Sequence, residues 1–339
     1  MVDHRRRYAV AAVDQTPLFY EVWAPLRPDD LSSAASDAAT TAAVHDATEP
    51  SPAQRAVPVL LCDGIGCDGY VWRYLRPDLT DRVVAHGHYR GHGRSREPSD
   101  GDRVTIADLA DDQIAILDDA GLERVVIIGH SMGVQVALET MRRHRDRVAG
   151  LVLVCGAPSH PLRTFRGAAT LEQVLPRVSA VVDSVPQVFQ RLARLALPTR
   201  LAYEVASWLE IQRDKVSPAD FMPYLHGMSR IDPRLFVRML AAAGQHSADD
   251  FLGAVDVPTL VFGATEDGFT PMDRSRQMAA HIPGAVLVEV EHGSHTAPLE
   301  HPGIFLRRIR EFLHANFADQ SLSSRNYSSS HVDPAEPEG

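Results

Sequence analysis

The sequence predicts an α/β fold in which a mostly parallel central sheet is flanked by helices and carries an inserted helical cap. Three observations lead there. Short runs such as Val125–Ile128, Leu151–Val154 and Thr259–Phe262 lack polar alternation, the pattern of strands buried on both faces. These runs alternate with helical periodicities, which calls for a parallel sheet with right-handed crossovers. From Ser159 to Asp250 strand-like runs then disappear, and helical patterns punctuated by proline replace them.

In chain order, Tyr8–Val13 and Leu18–Trp23 read as a hairpin around the turn signal Asp14–Pro17. Residues 27–56 are rich in Pro, Asp, Ser, Ala and Thr and read as a flexible surface insertion. Val57–Leu61 is the next strand. It enters Cys62–Gly69, a glycine-rich loop whose N–H groups can face a ligand, or else a simple βα turn with a helix expected from near Tyr70. Arg82–His86 is a fourth strand, followed by a Gly/His/Arg stretch to Ser95. His86, His88 and His92 lack a completing carboxylate or cysteine, and Asp63 with Asp68 offers too few oxygens. These residues read as a structural turn, with no metal site. Thr105 caps a helix through Leu117, and Gly121 stops it.

The next segment holds the chemistry. Gly129-His130-Ser131-Met132-Gly133 fits G-x-S-x-G, a sharp strand-to-helix turn whose glycines stand where a Cβ would obstruct the backbone. A helix follows, with Arg142 and Arg143 in its last turn. Ser131 therefore stands at a helix N-terminus above the carboxyl end of a central strand, where a hydroxyl can act as a nucleophile. The loop after Cys155 carries no carboxylate.

Residues 159–250 form the cap, and residues 1–158 and 251–318 form the two parts of the core. Trp208, Phe221, Met222, Tyr224, Met228 and Met239 are candidates for a cavity wall under the cap, each competing with a plain core role. After Thr259–Phe262, the loop Gly263–Pro271 holds Glu266 and Asp267, and Asp273–Ile282 is a helix. The last strand, Ala285–Val290, leads to a loop with His292 and His295. A final helix, Pro302–Phe317, turns Phe305, Ile309 and Phe312 to the sheet. The tail, 319–339, reads as disordered.

A serine hydroxyl needs a histidine to take its proton and a carboxylate to orient that histidine. His295 lies deeper in its loop than His292 and is preferred. For the acid, Glu266 and Asp267 are adjacent and both remain open. Composition bounds the partners. Net charge −10 argues against nucleic acid, and no apolar run is long enough to span a membrane. Three cysteines without a C-x-x-C pair fit a reducing cytoplasm better than a disulfide framework. A homo-oligomer is left open.

Gly129–Gly133, Tyr89-Arg90-Gly91-His92-Gly93-Arg94-Ser95, Gly263…Asp267…Pro271 and Gly293-Ser294-His295, in this order, resemble the α/β-hydrolase fold family, and closest its esterase, C–C hydrolase and perhydrolase-like members. The resemblance covers Tyr8 to Phe317. It implies Asp267 as the acid and the N–H groups of Met132 and Ile65 as an oxyanion hole. It also implies a serine hydrolase without cofactor, acting on an apolar ester, thioester or related carbonyl compound through an acyl-enzyme. His130, Trp208 and Met228 are taken as pocket residues. A perhydrolase or C–C hydrolase on the same residues is the alternative within the class. Outside it stands a small-molecule binding protein without turnover. Two departures matter. Relatives usually have His-Gly where this chain has Asp63-Gly64, and a carboxylate there opposes a developing oxyanion unless it is paired or turned away. Many relatives carry an acid where this chain has His88, which is read as structural.

Overall fold

A computed structural model of the chain describes residues 2–25, 56–101, 103–164, 170–209 and 214–317. Their β-branched runs form one eight-stranded sheet: β1 (Val2–Val10), β2 (Pro17–Pro25), β3 (Val59–Cys62), β4 (Val84–Gly87), β5 (Val125–His130), β6 (Val148–Val154), β7 (Thr259–Ala264) and β8 (Val286–Val290). The spatial order is β1-β2-β4-β3-β5-β6-β7-β8. β2 pairs antiparallel with β1 and β4, and every pairing from β4 to β8 is parallel.

The two-residue side-chain period sorts the strand residues onto two faces. Leu61, Val126, Ile128, Val152, Val154 and Phe262 point to one cluster. It is completed by Trp72 and by Phe305, Ile309 and Phe312 of α11 (Pro302–Phe317). Leu60, Ile127, Leu151, Leu153 and Val261 point to the other, against α1 (Ile106–Ala120) and α2 (Met132–Arg143). α1 starts at Thr105 in a full capping box with Asp108 and ends at Gly121, whose φ of 68° suits glycine.

Among the described residues, six α-helices lie between β6 and β7. They are α3 (Pro161–Thr164), α4 (Thr170–Ser184), α5 (Pro186–Ala196), α6 (Arg200–Leu209), α7 (Pro218–Met228) and α8 (Pro233–Gln245). The other two helices of the closing segment are α9 (Met272–His281) and α10 (Ala297–Glu300).

Two local expectations change. The first strand begins at Val2, not Tyr8, because part of the basic run finds an acid across the hairpin. His4 and Arg6 reach Glu21 at 3.2 and 2.7 Å, and His4 stacks on Trp23 at 4.8 Å. The helix expected from Tyr70 reduces to two 3-10 turns, Tyr70–Trp72 and Arg76–Asp78, because Pro77 removes a backbone donor and obstructs the preceding turn. The surface insertion at 27–56, apart from Ala56, and the tail at 319–339 lie outside the described residues. Among the described residues, no helix is long and apolar enough to cross a membrane.

Phe305 is buried and stacks on Phe262 with ring centroids 4.6 Å apart. Phe305→Ala is expected to lower unfolding stability by about 3–5 kcal/mol. Urea denaturation checks this, and a loss under about 1 kcal/mol would mean that α11 is not a major support of the sheet.

Candidate active site

The turn after β5 is built by backbone crowding. A Cβ on Gly129 would collide with the carbonyl of Gly133, and one on Gly133 with the carbonyl of Cys62. With those side chains absent, the chain folds sharply enough to hold Ser131 at φ 55° and ψ −119°, strained for a residue with a Cβ. Ser131 sits at the N-terminus of α2 and faces a cavity.

The loops after β7 and β8 bring two further side chains to this point. His295 Nε2 lies 2.9 Å from Ser131 Oγ, and His295 Nδ1 lies 2.9 Å from Asp267 Oδ2. The Asp267 carboxylate is buried and accepts bonds from the N–H groups of Phe269 and Thr270 and from the Thr270 hydroxyl, each at 2.8 Å. It is therefore fixed in place with both oxygens engaged. The neighbouring alternatives pair with each other instead. Glu266 Oε1 and His292 Nδ1 are 2.9 Å apart on the exposed surface.

The His295 loop is braced by a residue that sequence reasoning missed. Glu300 is buried and accepts from the N–H of Ser294 at 2.7 Å, from Thr296 Oγ1 at 2.8 Å, and from the Ser294 hydroxyl. Its place six residues past Ser294, on α10, gave no periodic signal in the sequence.

Asp63 does not face the reacting centre. Its side chain is fully buried, and Oδ2 bonds His86 Nε2 at 2.8 Å. Burial alone would raise this carboxyl, but the charge and hydrogen bond of His86 outweigh burial and hold it below its ordinary value. The other histidines of this region are also engaged. His92 Nδ1–H donates to the Arg90 carbonyl at 3.1 Å, leaving Nε2 to accept from Gly66 N–H at 3.1 Å. His88 Nδ1 accepts from Arg94 N–H at 3.0 Å. The loop that carries Ile65 is thus tied down from behind. Gly64 lets it approach Ser131, since a Cβ there would stand 3.1 Å from Ser131 Cβ.

The cavity in front of Ser131 encloses about 810 Å³. Ile65, Met132, His130 and Met228 line it, and so do Phe221 and Tyr224. Met239 is instead fully buried in the core beside α2, and Met222 packs on the opposite core cluster. Trp208 lies in α6, but its side chain is outside the described residues. Sequence reading missed Leu197, Leu201, Val205, Leu240 and Phe269, plain aliphatic or loop positions that nothing distinguishes from packing residues.

His130 Nε2–H donates to the His295 carbonyl at 3.0 Å, coupling the elbow to the histidine loop. Burial, and then the nearby His295, push the His130 imidazole down to about 4.

The chain belongs to the α/β-hydrolase fold family: the profile described as alpha/beta hydrolase fold matches residues 57–302. Among its relatives, a protein of Caulobacter vibrioides, provisionally named the carbamate hydrolase RutD, is 27% identical over 262 residues, covering 75% of this chain and 89% of its own. The protein of that name from Variovorax paradoxus is 29% identical over 262 residues, covering 75% and 91%. Of the solved structures, an esterase from Thermogutta terrifontis superposes with TM-score 0.66 at 24% identity, covering 93% of this chain and 99% of its own. A bromoperoxidase from Bacillus anthracis gives 0.67 at 18%, covering 91% and 99%.

The buried imidazoles set an acid limb of stability. An unfolded histidine protonates near 6.5, whereas burial first, then His86, hold His88 down to about 3, and His130 resists to about 4. Below 6.5 the unfolded chain therefore binds protons that the fold refuses, and stability falls as pH drops through that window. The expected slope is about 1.4 kcal/mol per pH unit for each histidine. His130→Gln, which keeps a donor for the His295 carbonyl, should flatten the slope by about one proton. Urea melts at about pH 7, 6 and 5 measure it, and an unchanged slope would contradict the assignment.

Proposed function

We propose that the protein is a serine hydrolase that cleaves an ester, thioester or related carbonyl bond in a substrate with a large apolar portion. The observation that carries this is the continuous hydrogen-bonded path from Ser131 Oγ through both nitrogens of His295 to the buried Asp267. In the proposed reaction, Ser131 Oγ attacks the carbonyl carbon as its proton passes to His295 Nε2. Asp267 keeps the proton on Nδ1 and stabilises the imidazolium. The carbonyl oxygen becomes the oxyanion and receives the N–H groups of Met132 and Ile65. Among the described residues, no turn or loop backbone hydrogen bond consumes either group. Each such donor contributes about 3–4 kcal/mol in the transition state. Collapse breaks the bond to the leaving group, which takes the proton from Nε2. Water, deprotonated by the same nitrogen, then releases the acid and restores the serine.

The substrate class follows from the cavity. The helices between β6 and β7 act as its cap, and the wall is aliphatic and aromatic apart from a few polar groups near Ser131. A volume of about 810 Å³ is far more than a small polar molecule fills. The relatives' names point to carbamate hydrolysis, acyl chemistry of the same kind, but this wall suits a larger and less polar acyl group.

A fluorophosphonate probe is expected to label the wild type and to leave Ser131→Ala unlabelled. A folded wild type that never labels would point to a binding protein instead. Asp267→Asn should lower kcat about 10⁴-fold on a p-nitrophenyl ester, because it releases the imidazole tautomer. Across p-nitrophenyl esters of rising length, kcat/KM should climb about fourfold per methylene until the cavity is filled. A series that peaks at acetate would overturn the apolar-substrate reading.

A further inference from the structure

We propose that the outer face of the cap is a docking surface for anionic phospholipid membranes, placing the mouth of the apolar cavity against the lipid. Nine of the fourteen large apolar side chains that stand exposed among the described residues fall within residues 174–205. They are ordered, not scattered. On α4, Val174, Val178 and Val181 recur at helical spacing and all face solvent. On α5, Val188, Leu192 and Leu195 do the same, with Leu195 74% exposed. No residue of α5 is fully buried, although Phe189 leans on the cap's small inner cluster and Gln190 Nε2 bonds the Ser229 carbonyl at 2.9 Å. The helix is thus held by its polar edge and aromatic side while its aliphatic ridge points outward. On α6, Leu201 is 73% exposed and also lines the cavity, as does Val205. The outer apolar surface and the cavity wall are therefore continuous. Exposed apolar surface on this scale marks an interaction site.

Charge selects the occupant. α4 to α6 carry Arg177, Arg191, Arg194 and Arg200 in a chain of net charge −10. All four are exposed, and none forms an ion pair among the described residues. The acids on these helices are already engaged, Glu172 by Arg163 at 3.0 Å and Asp183 by Arg238 at 3.7 Å, and Glu204 is not free either. The free charge at the aliphatic ridges is therefore positive, the arrangement of a helix that lies in a membrane interface. A second copy of the chain fits less well. A twofold pairing through this patch would set Arg191 and Arg194 of one copy toward the same residues of the other. The two long segments outside the described residues, 26–55 and 318–339, leave the core elsewhere: β2 ends beside the start of β4, and Phe317 packs near the start of β6 at Gly150. Both points lie at the amino ends of the parallel strands, opposite the cap.

The test is flotation of the full chain with vesicles of phosphatidylcholine alone and of phosphatidylcholine with phosphatidylglycerol. The expected result is binding to the anionic vesicles that weakens with salt and is lost in Leu192→Asp/Leu195→Asp. Arg191→Gln/Arg194→Gln/Arg200→Gln should weaken it about a hundredfold, at about fivefold per arginine. Far-UV circular dichroism and turnover of a short soluble p-nitrophenyl ester should stay at the wild-type level in both variants. Failure of the wild type to float with anionic vesicles overturns the proposal, and so does binding undiminished by the aspartate variant. Equilibrium sedimentation showing a dimer that the aspartate variant dissociates, without vesicle binding, would give the ridge to a second copy instead. Flotation does not depend on catalysis, so a failure of the hydrolase reading leaves this result distinguishable.

Discussion

Everything at the site depends on three backbone segments meeting without side chains between them. Gly129 and Gly133 let the turn after β5 close on itself and on the end of β3, and Gly156, at the end of β6, lets that segment reach the Ser131 carbonyl. Ser131 N–H is held by the Val154 carbonyl at 3.0 Å, and the Ser131 carbonyl receives Val134 N–H at 3.0 Å. Backbone strain of this kind costs about 1–3 kcal/mol and persists only where the surroundings over-determine it. Here they do. β5 is flanked by β3 and β6, all six of its residues are buried, and the turn has no free direction in which to relax.

The same site must hold two carboxylates without letting them compete. An unpaired buried charge is expensive, so each needs its own donors. Asp267 has the Phe269 and Thr270 amides, the Thr270 hydroxyl and His295. Asp63 has His86, on the side away from Ser131. The two departures from the family pattern then become one. Asp63, where the resemblance leads one to expect histidine, bonds His86, and His88, where it often implies an acid, lies 5.3 Å from His86 ring to ring. Exchanging the residue types across one buried cluster keeps an acid among imidazoles, so the loop bearing Ile65 stays anchored while the charge remains behind it.

What was legible in the sequence follows from how local its cause is. The strands of the parallel sheet were legible because burial on both faces leaves an unbroken β-branched run, as in Val125–Ile128. Ser131 was legible because the turn's glycines are sequence neighbours, and the juxtaposition of Asp267 and His295 because sheet topology delivers their loops to the same rim. Glu300 was not, since its role arises from bonds to a loop that precedes it and not from any periodicity. The cavity wall was legible only in part. Met228 and Met239 look alike as a sequence, yet one faces the cavity and the other the core, a choice made by how the cap helices rotate on the sheet. The strand at His4–Arg7 escaped notice because His4 and Arg6 meet Glu21 across the hairpin, a partner that local composition does not reveal.

The helices between β6 and β7 complete this division between local and distant causes. A helix that only roofs a cavity would turn its aliphatic stripe inward and its arginines outward, because burying apolar surface is the main gain of packing. α7 and α8 follow that rule, burying Phe221, Leu225, Leu235 and Met239. α5 breaks it along Val188, Leu192 and Leu195, while α4 and α6 break it beside it, and on α6 the exposed Leu201 and Val205 also line the cavity. Hydrophobic burial alone would not leave that much aliphatic surface in water next to an apolar chamber. A partner surface that is itself apolar, and that favours the exposed arginines at its edge, would remove the contradiction and supply the medium from which an apolar substrate enters.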